Sequence, residues 1–465
     1  MADREWKQFS PIPDHRNEAD IDITMRNLDA SSLIAGDFDG DGQDEIAIII
    51  GTPPNSSKEL WVKKFYPEEI PPENWKSLKS SGLRGHCREA DIDCVESLSG
   101  CDNVDIYKNV QIGVKFSGDF NGDGRDEIAV SVSSYVAPLI KGFRVMKWTG
   151  EDWIHLGPNL QNDGDFKPPG EYVYLPVVVG DFDGDGQDEI AGRMAVSGSA
   201  ANDFWVMKFY EKENEWREQW RFTCSDSAFL AKFAFPGDFD GDGCDEIIIV
   251  PGTRFATFTD FWAMKLNNHD GKWYHMRQLK KSVILPDADI SCSDSKDLTP
   301  NGNAVAVGDF DGDGQDEIAI ALKQEGSAGN DFWAMKFDKN RQDWIHMRDP
   351  KLDHPLKADF DCSGLQLATN QAIAGDFDGD GKDEIAVQIG NRQGVQESRN
   401  NFWIMKWYGN KWEHHPGGNL IFSKKLHYPA TSPISGSFIK NYKRKQIAAI
   451  ASGNDIWIRH WPWDL

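Results

Sequence analysis

One phrase constrains this chain more than any other. It reads G-D-F-D-G-D-G-Q-D-E-I-A from Gly36 to Ala47, and near copies begin their acidic run at Asp119, Asp181, Asp238, Asp309 and Asp376. A seventh, eroded copy reads G-S-F-I-K-N-Y-K-R-K-Q-I-A-A-I from Gly436. The copies stand roughly 60 to 80 residues apart and together span the chain, the mark of one supersecondary unit repeated rather than of unrelated domains. With 39% hydrophobic residues, 18 Trp and 26 Phe, there is enough apolar surface for a large packed core and too much for a disordered chain.

Each unit has the same anatomy. A short apolar run such as S-S-L-I-A-G-D-F precedes the acidic loop and a β-branched run such as E-I-A-I-I-I follows it, which reads as a hairpin. Next comes F-W-x-M-K-F, at Phe204 to Phe209, Phe261 to Leu266, Phe332 to Phe337 and Phe402 to Trp407, with looser copies at Leu60, Phe143 and Ile456. Alternate residues of a strand face opposite ways, so Trp205, Met207 and Phe209 share one side while Phe204 and Val206 share the other; both sides are apolar and both must be covered. A shorter Trp-headed segment closes the unit, as in D-W-I-H-M-R at Asp343 and K-W-Y-H-M-R at Lys272.

Four strands buried on both faces and repeated seven times predict an all-β fold, a seven-bladed β-propeller of four-stranded antiparallel blades. The last unit ends at D-I-W-I-R-H-W with no Trp-headed strand of its own, and R-E-W-K-Q-F at Arg4 to Phe9 supplies the missing piece. The N-terminal strand is therefore expected to complete the last blade and close the ring, removing the edges that a solenoid would have to cap. The expected plan is a single domain over 1–465, with blades at 32–79, 110–157, 172–221, 231–279, 301–349, 369–416 and 431–465. Residues 1–10 form the outer strand of the seventh.

In the first loop Asp37, Asp39 and Asp41 occupy positions one, three and five, Gly42 position six, Gln43 position seven and Glu45 position nine. Alternating carboxylates on a sharply curved loop converge on one point, glycine allows the turn, and a backbone carbonyl at seven completes an oxygen cage suited to Ca2+. Zinc would ask for Cys or His, and magnesium gives up its waters reluctantly. An EF-hand needs an acid at position twelve between helices, whereas position twelve here is Ile48 in a strand. Six calcium sites are expected and none in the seventh blade, where Ser437, Ile439 and Asn441 replace the aspartates and Lys443, Arg444 and Lys445 bring positive charge. Asn121 in the second loop keeps an oxygen but loses a charge, which predicts a weaker site.

These residues resemble the FG-GAP repeats of integrin-α-like propellers and of related calcium-binding propellers, over nearly the whole chain. The resemblance implies a calcium loop between the first and second strands of each blade, with ligands at positions one, three, five, seven and nine. Carried over, these are Asp37, Asp39, Asp41, Gln43 and Glu45; Asp119, Asn121, Asp123, Arg125 and Glu127; and Asp181, Asp183, Asp185, Gln187 and Glu189. The remaining three sets are Asp238, Asp240, Asp242, Cys244 and Glu246; Asp309, Asp311, Asp313, Gln315 and Glu317; and Asp376, Asp378, Asp380, Lys382 and Glu384. Position seven would bind through its carbonyl. Glutamate at nine is longer than the aspartate usual in the family and has the reach to bind with both oxygens.

The formal net charge of -25 is concentrated in these loops, and six dications would offset roughly half of it. No basic stripe suits nucleic acid. No apolar run is long enough to span a membrane and the charged start lacks a signal peptide, so a cytosolic chain, or one released by an unconventional route, is expected. Of 7 Cys, an odd number, Cys94, Cys224, Cys292 and Cys362 read as small buried hydrophobes in equivalent segments, and Cys87 and Cys101 are the pair that could bond locally.

For function, the sequence favours a binding module. The turns before the third strands carry Asn202, Asp203, Asp260, Asn330, Asp331, Asn400, Asn401, Asn454 and Asp455, polar groups beside aromatic residues as a sugar pocket requires, although the same residues are ordinary turn formers. Glycans or glycoproteins are the expected partners, and weak sites repeated in similar blades would gain avidity. Protein recognition is the alternative, with the long insertion between Asp37 and Asp119 as its candidate. No catalytic residue is assigned. The pairs Trp153/His155, Trp273/His275, Trp344/His346 and Trp412/His414 read as structural, because a catalytic group is expected to break a repeat rather than follow it, and a lyase or hydrolase is the least favoured reading.

Overall fold

The computed structural model describes residues 7–8, 21, 29–51, 59–67, 75–78, 92–93, 110–134, 137–158, 165–169, 172–195, 203–224, 231–251, 260–277, 289–291, 298–324, 331–348, 358–361, 367–391, 401–421, 431–451 and 455–460. Among them every regular element is a strand. The fold is a seven-bladed β-propeller of antiparallel blades. The first blade comprises Asp29–Gly36, Glu45–Gly51, Glu59–Phe65 and Trp75–Ser77, and the second Val110–Gly118, Glu127–Ser134, Ala137–Trp148 and Trp153–His155. The third holds Tyr172–Gly180, Glu189–Ala195, Asp203–Tyr210 and Glu215–Thr223, and the fourth Ala231–Gly237, Glu246–Pro251, Asp260–Asn267 and Lys272–His275. The fifth holds Leu298–Gly308, Glu317–Gln324, Asp331–Asp338 and Asp343–His346; the sixth Leu367–Gly375, Glu384–Asn391, Asn401–Trp407 and Trp412–Ile421. The seventh has three strands of its own, Thr431–Gly436, Gln446–Ala451 and Asp455–His460. As expected, the N terminus supplies its fourth: Lys7 pairs with His460 and Gln8 with Arg459.

The chain divides into two compact units. One contains Tyr174–Met207 and Glu218–Lys424, the other Trp6–Val173, Lys208–Arg217 and Lys425–Leu465. Within each, the core lies between successive blades, because both faces of the second and third strands are apolar. In the first unit Ile248, Val250, Phe261 and Ala263 of the fourth blade pack with Ile318, Ile320, Trp333 and Met335 of the fifth. In the second unit Ile46, Ile48 and Trp61 of the first blade pack with Ala448, Ile450, Ile456 and Ile458 of the seventh.

The phenylalanine of the repeated phrase is the pin of this packing. Phe38, Phe120, Phe182, Phe239, Phe310 and Phe438 are fully buried. Phe38 meets the Trp153 ring edge-on at 5.9 Å, Phe182 meets Trp273 at 5.6 Å, Phe239 meets Trp344 at 5.6 Å and Phe310 meets Trp412 at 5.4 Å. Each tryptophan heads the fourth strand of the following blade, and such edge-on pairs add about 0.5–1.5 kcal/mol beyond the area they bury. The Trp-headed segment thus exists to receive its neighbour's loop.

The outer edge of the third strand explains the histidines beside those tryptophans. In the fourth and fifth blades the fourth strand covers only the second half of the third; a two-residue strand, Ile290–Ser291 or Phe360–Asp361, covers the first half. Where the partner changes, one backbone N–H would be orphaned, and a buried aspartate accepts it: Ala263 N–H donates to Asp289 at 2.8 Å and Ala334 N–H to Asp359 at 2.7 Å. The second blade repeats this with Val145 N–H and Asp165 at 2.7 Å. His155, His275 and His346 bind the same carboxylates through Nδ1 at 2.9, 2.8 and 3.0 Å. Their bonds are structural, as a buried carboxylate demands. His414 of the sixth blade instead packs against the Trp403 ring.

Candidate cation loops

In every acidic loop the position-one aspartate folds the turn around itself. Asp37 accepts hydrogen bonds from the N–H groups of Gly40, Asp41 and Gly42 at 2.9, 3.0 and 2.8 Å, and Asp309 does the same for Gly312, Asp313 and Gly314. Gly42 has φ of 83° with nothing near its missing Cβ, so the left-handed backbone alone requires glycine there. Position nine closes the loop from below: Oε2 of Glu45, Glu127, Glu189, Glu246, Glu317 and Glu384 accepts the position-two N–H at 2.8–3.0 Å. One oxygen of that glutamate is thus committed to the backbone. The other oxygen, Oε1, meets the third-strand lysine in the first, fourth, fifth and sixth loops.

The predicted carboxylates do converge. Asp238, Asp240, Asp242 and Glu246 each place an oxygen within 4.8 Å of the others, and so do Asp309, Asp311, Asp313 and Glu317. Asp37, Asp39 and Asp41 form a group of three, as do Asp119, Asp123 and Glu127, and Asp181, Asp183 and Glu189. Asn121 turns its Nδ2 to Glu127 Oε1 at 2.7 Å and offers its oxygen to the N–H of Asp123, so its amide is spent within the loop.

At position seven the side chains serve blade packing and leave only the carbonyl for a cation. Gln43 Nε2 donates to Phe65 O at 2.8 Å, and Lys382 Nζ to Asp311 O of the preceding blade at 2.8 Å. The Arg125 stem covers Gly40 and the Cys244 sulfur covers Gly184. Packing by a stem alone is why Gln, Arg, Cys and Lys all serve.

Two sets of residues escaped the sequence reading. The first is the aspartate before the position-nine glutamate. Asp126 accepts the N–H of Asp37 at 2.9 Å and donates its own N–H back to Asp37 O, joining the second blade to the first. Asp245 does this to Asp181, Asp316 to Asp238, and Asp44 to Ser437. The glycine of G-D-F makes room: a Cβ on Gly180 would lie 2.4 Å from Asp245 Oδ2, and one on Gly308 2.3 Å from Asp383 Oδ2. Its signal was the D-E pair, one carboxylate more than the cage needs.

The second set is the lysine of F-W-x-M-K-F. Lys64 Nζ lies 2.6, 3.0 and 3.0 Å from Asp39, Asp41 and Glu45. Lys265 lies 2.7 Å from each of Asp240, Asp242 and Glu246. Lys336 reaches Asp311, Asp313 and Glu317 at 2.7, 2.8 and 2.8 Å, and Lys406 reaches Asp378, Asp380 and Glu384 at 2.5, 2.9 and 2.5 Å. Lys147 touches Asp123 at 2.6 Å. The signal was strand alternation, which puts Lys208 and its equivalents on the apolar side with Phe204 and Val206, where a charge needs a partner.

Burial dominates the electrostatics. It pushes Glu45, Glu246, Glu317 and Glu384 up to about 8 and Glu127 up to about 9, with the lysines pulling the other way. Burial would lower Lys64 and Lys336, but hydrogen bonds from their ammonium groups to Asp39 and Asp311 hold both above the ordinary lysine value. Burial also lifts the inter-blade clamp carboxylates, Asp245 to about 7 and Asp316 and Asp383 to about 6.

The sugar-contact candidates lie elsewhere. Asp203, Asp260, Asp331, Asn401 and Asp455 each begin the third strand of a blade. Asp203 is half-buried and accepts the Thr223 hydroxyl at 2.6 Å. Asn202, Asn330, Asn400 and Asn454 lie outside the described residues, as do Cys87, Cys94, Cys101, Cys292 and Cys362; Cys224 is buried.

A family model for the FG-GAP repeat matches residues 301–331, the hairpin that carries the loop of the fifth blade. Residues 301–331 carry an FG-GAP repeat. Comparison with curated protein sequences returns no match. Among solved structures, the propeller is similar to a rhamnogalacturonan lyase of Bacillus licheniformis, at 14% identity over 94% of this chain and 72% of the lyase, with a TM-score of 0.41. It is similar to the Dos1 propeller at 9% identity over 99% and 97% of the two chains, TM-score 0.46. An Aleuria aurantia lectin variant in complex with alpha-methyl-L-fucoside is 11% identical over 85% of this chain and 95% of the lectin, TM-score 0.36. At these identities and scores none bears on activity. No helix among the described residues is long and apolar enough to cross a membrane.

Proposed function

We propose that the chain is a calcium-stabilised propeller that acts as a binding module, with glycans as its ligands. The observation that carries calcium is a repeated orphan. Asp39 Oδ1, Asp240 Oδ1 and Asp311 Oδ1, equivalent atoms at position three of three loops, are buried without a hydrogen-bond partner among the described residues. A buried carboxylate oxygen left bare costs about 1–3 kcal/mol or more, and the same cost at the same place in three blades is what a hard, oxygen-seeking cation would relieve. The donor set fits: carboxylates at one, three, five and nine and a carbonyl at seven, with no nitrogen or sulfur ligand.

The binding-module reading is supported by where the reactive side chains are spent. The imidazoles of the second, fourth and fifth blades are bonded to buried aspartates in one arrangement, and the lysines of the first, fourth, fifth and sixth to loop carboxylates in another. The third strands of five blades begin with an Asn or Asp, at Asp203, Asp260, Asp331, Asn401 and Asp455, outside these two arrangements, and repetition of weak sites favours a multivalent ligand. A glycan array in millimolar calcium, repeated after chelation, tests this. Calcium-dependent signal on a coherent set of sugars is expected; a blank array from protein shown folded by circular dichroism would overturn the glycan reading and turn the search to a protein partner.

A further inference from the structure

We infer that the third-strand lysine of the first, fourth, fifth and sixth blades is a tethered counter-cation: it holds its acidic loop in the folded shape without metal, and it sets the affinity for a dication, which enters only by displacing the ammonium. The inference concerns the loops proposed above to bind calcium, and its second half rests on that reading.

Geometry carries it. An ammonium has three N–H donors, and Lys64, Lys265, Lys336 and Lys406 each meet three carboxylates, those at positions three, five and nine, at 2.5–3.0 Å. The position-one aspartate is left to the backbone of the turn. One point of the cage is therefore claimed twice, by the ammonium and by any ion that would ligate the same oxygens.

The exceptions follow the same rule. In the second loop Asn121 replaces a carboxylate and its amide nitrogen takes over Glu127, and there Lys147 is within ion-pair distance of Asp123 alone among the described residues. In the seventh blade the three aspartates are gone, Gln446 stands where the glutamate was, and the residue at the lysine's place in I-W-I-R-H is His460. Carboxylates and lysine are lost together, as a charge pair would be and as an accidental neighbour would not.

Displacement sets an order among the loops. The Lys64 and Lys406 side chains are 6% exposed whereas Lys265 is 25% exposed, so the Lys265 ammonium reaches water with the smallest rearrangement. Calcium is expected to enter the fourth-blade loop before those of the first and sixth.

The test is calcium titration by calorimetry, with thermal unfolding in EGTA and in calcium, on the wild type, Lys336→Met and Lys336→Arg. Removing one charge from within 3 Å of the ligand oxygens is expected to give the methionine variant one site at least about tenfold tighter than any in the wild type. Its midpoint in EGTA falls below the wild-type value and calcium restores it, while the arginine variant, which keeps the charge, behaves as wild type. If the wild type takes up no calcium but Lys336→Met does, the lysine inference stands and native calcium binding is overturned. If the wild type binds calcium and Lys336→Met binds no more tightly, the lysine inference is overturned and the calcium reading stands. If neither binds, both are overturned. Should Lys336→Met fail to fold even in calcium while Lys336→Arg folds, the counter-cation half stands and displacement is overturned.

Discussion

The loop of the fifth blade and the loop of the seventh are the same turn under opposite charge. Asp309 to Glu317 carries four inward carboxylates and a lysine against them; Ser437 to Gln446 carries none of the four. Both keep the glycine that opens the phrase, the buried phenylalanine at position two, and a buried long polar side chain at the end that accepts a loop N–H, Glu317 from Phe310 at 2.8 Å and Gln446 from Ile439 at 3.2 Å. The difference separates two roles that the repeated phrase mixes. Gly, Phe and the terminal acceptor build the blade, whereas the aspartates at three and five and the third-strand lysine form a charge cluster that the blade can do without. Lys440 shows what the bare loop does with its own charge: its ammonium reaches Asp41 of the first blade at 2.8 Å.

The comparison breaks first on pH. Asp245, Asp316 and Asp383 are held above the ordinary 3.8, at about 7, 6 and 6, chiefly by burial. The folded chain then binds protons more tightly than the unfolded one, so their stabilisation is full below about pH 4 and is lost as pH rises toward 7. Asp378 is held low and works in the opposite sense, but its contribution is lost only below about pH 4, outside that window. In EGTA the melting midpoint should therefore fall from pH 5 to pH 7.5, with several kcal/mol at stake. Asp383→Asn should remove its own share of the slope, the rest remaining with Asp245, Asp316 and the position-nine glutamates, which burial lifts in the same sense. Lys443→Gln, in the bare loop, should remove none. A flat wild-type profile would remove the distinction between the two kinds of loop.

The shared scaffold gives the next largest effect. Phe310→Ala and Phe438→Ala should each cost about 3–5 kcal/mol in denaturant unfolding, because both rings are fully buried. A much smaller loss at Phe438 would mean that the seventh blade is built differently. The smallest effect sharpens the inter-blade clamp: Gly308→Ala places a Cβ 2.3 Å from the Asp383 carboxylate and should cost about 1–3 kcal/mol, measured the same way. Combining it with Asp383→Ala should recover part of that loss.

Much of this architecture was legible in the chain itself. Strand alternation, the acidic hairpin and the incomplete last unit predicted the propeller and the strand that completes its seventh blade, since each depends on residues close in sequence. The convergence of Asp309, Asp311, Asp313 and Glu317 was legible for the same reason: a nine-residue turn brings them together whatever surrounds it. Only the tertiary structure decided what faces such a turn. Lys64 lies in another strand, and Asp126 lies 89 residues from the Asp37 N–H it accepts. Their meeting depends on strand register and on blade stacking, which spacing within one loop does not encode. Alternation did place a lysine on a buried face and so demanded a partner for its charge. That the partner is the acidic cluster itself was settled when the third strand paired with the second in register, Ile46 against Lys63 and Ile318 against Met335, bringing the next residue, a lysine, level with the loop.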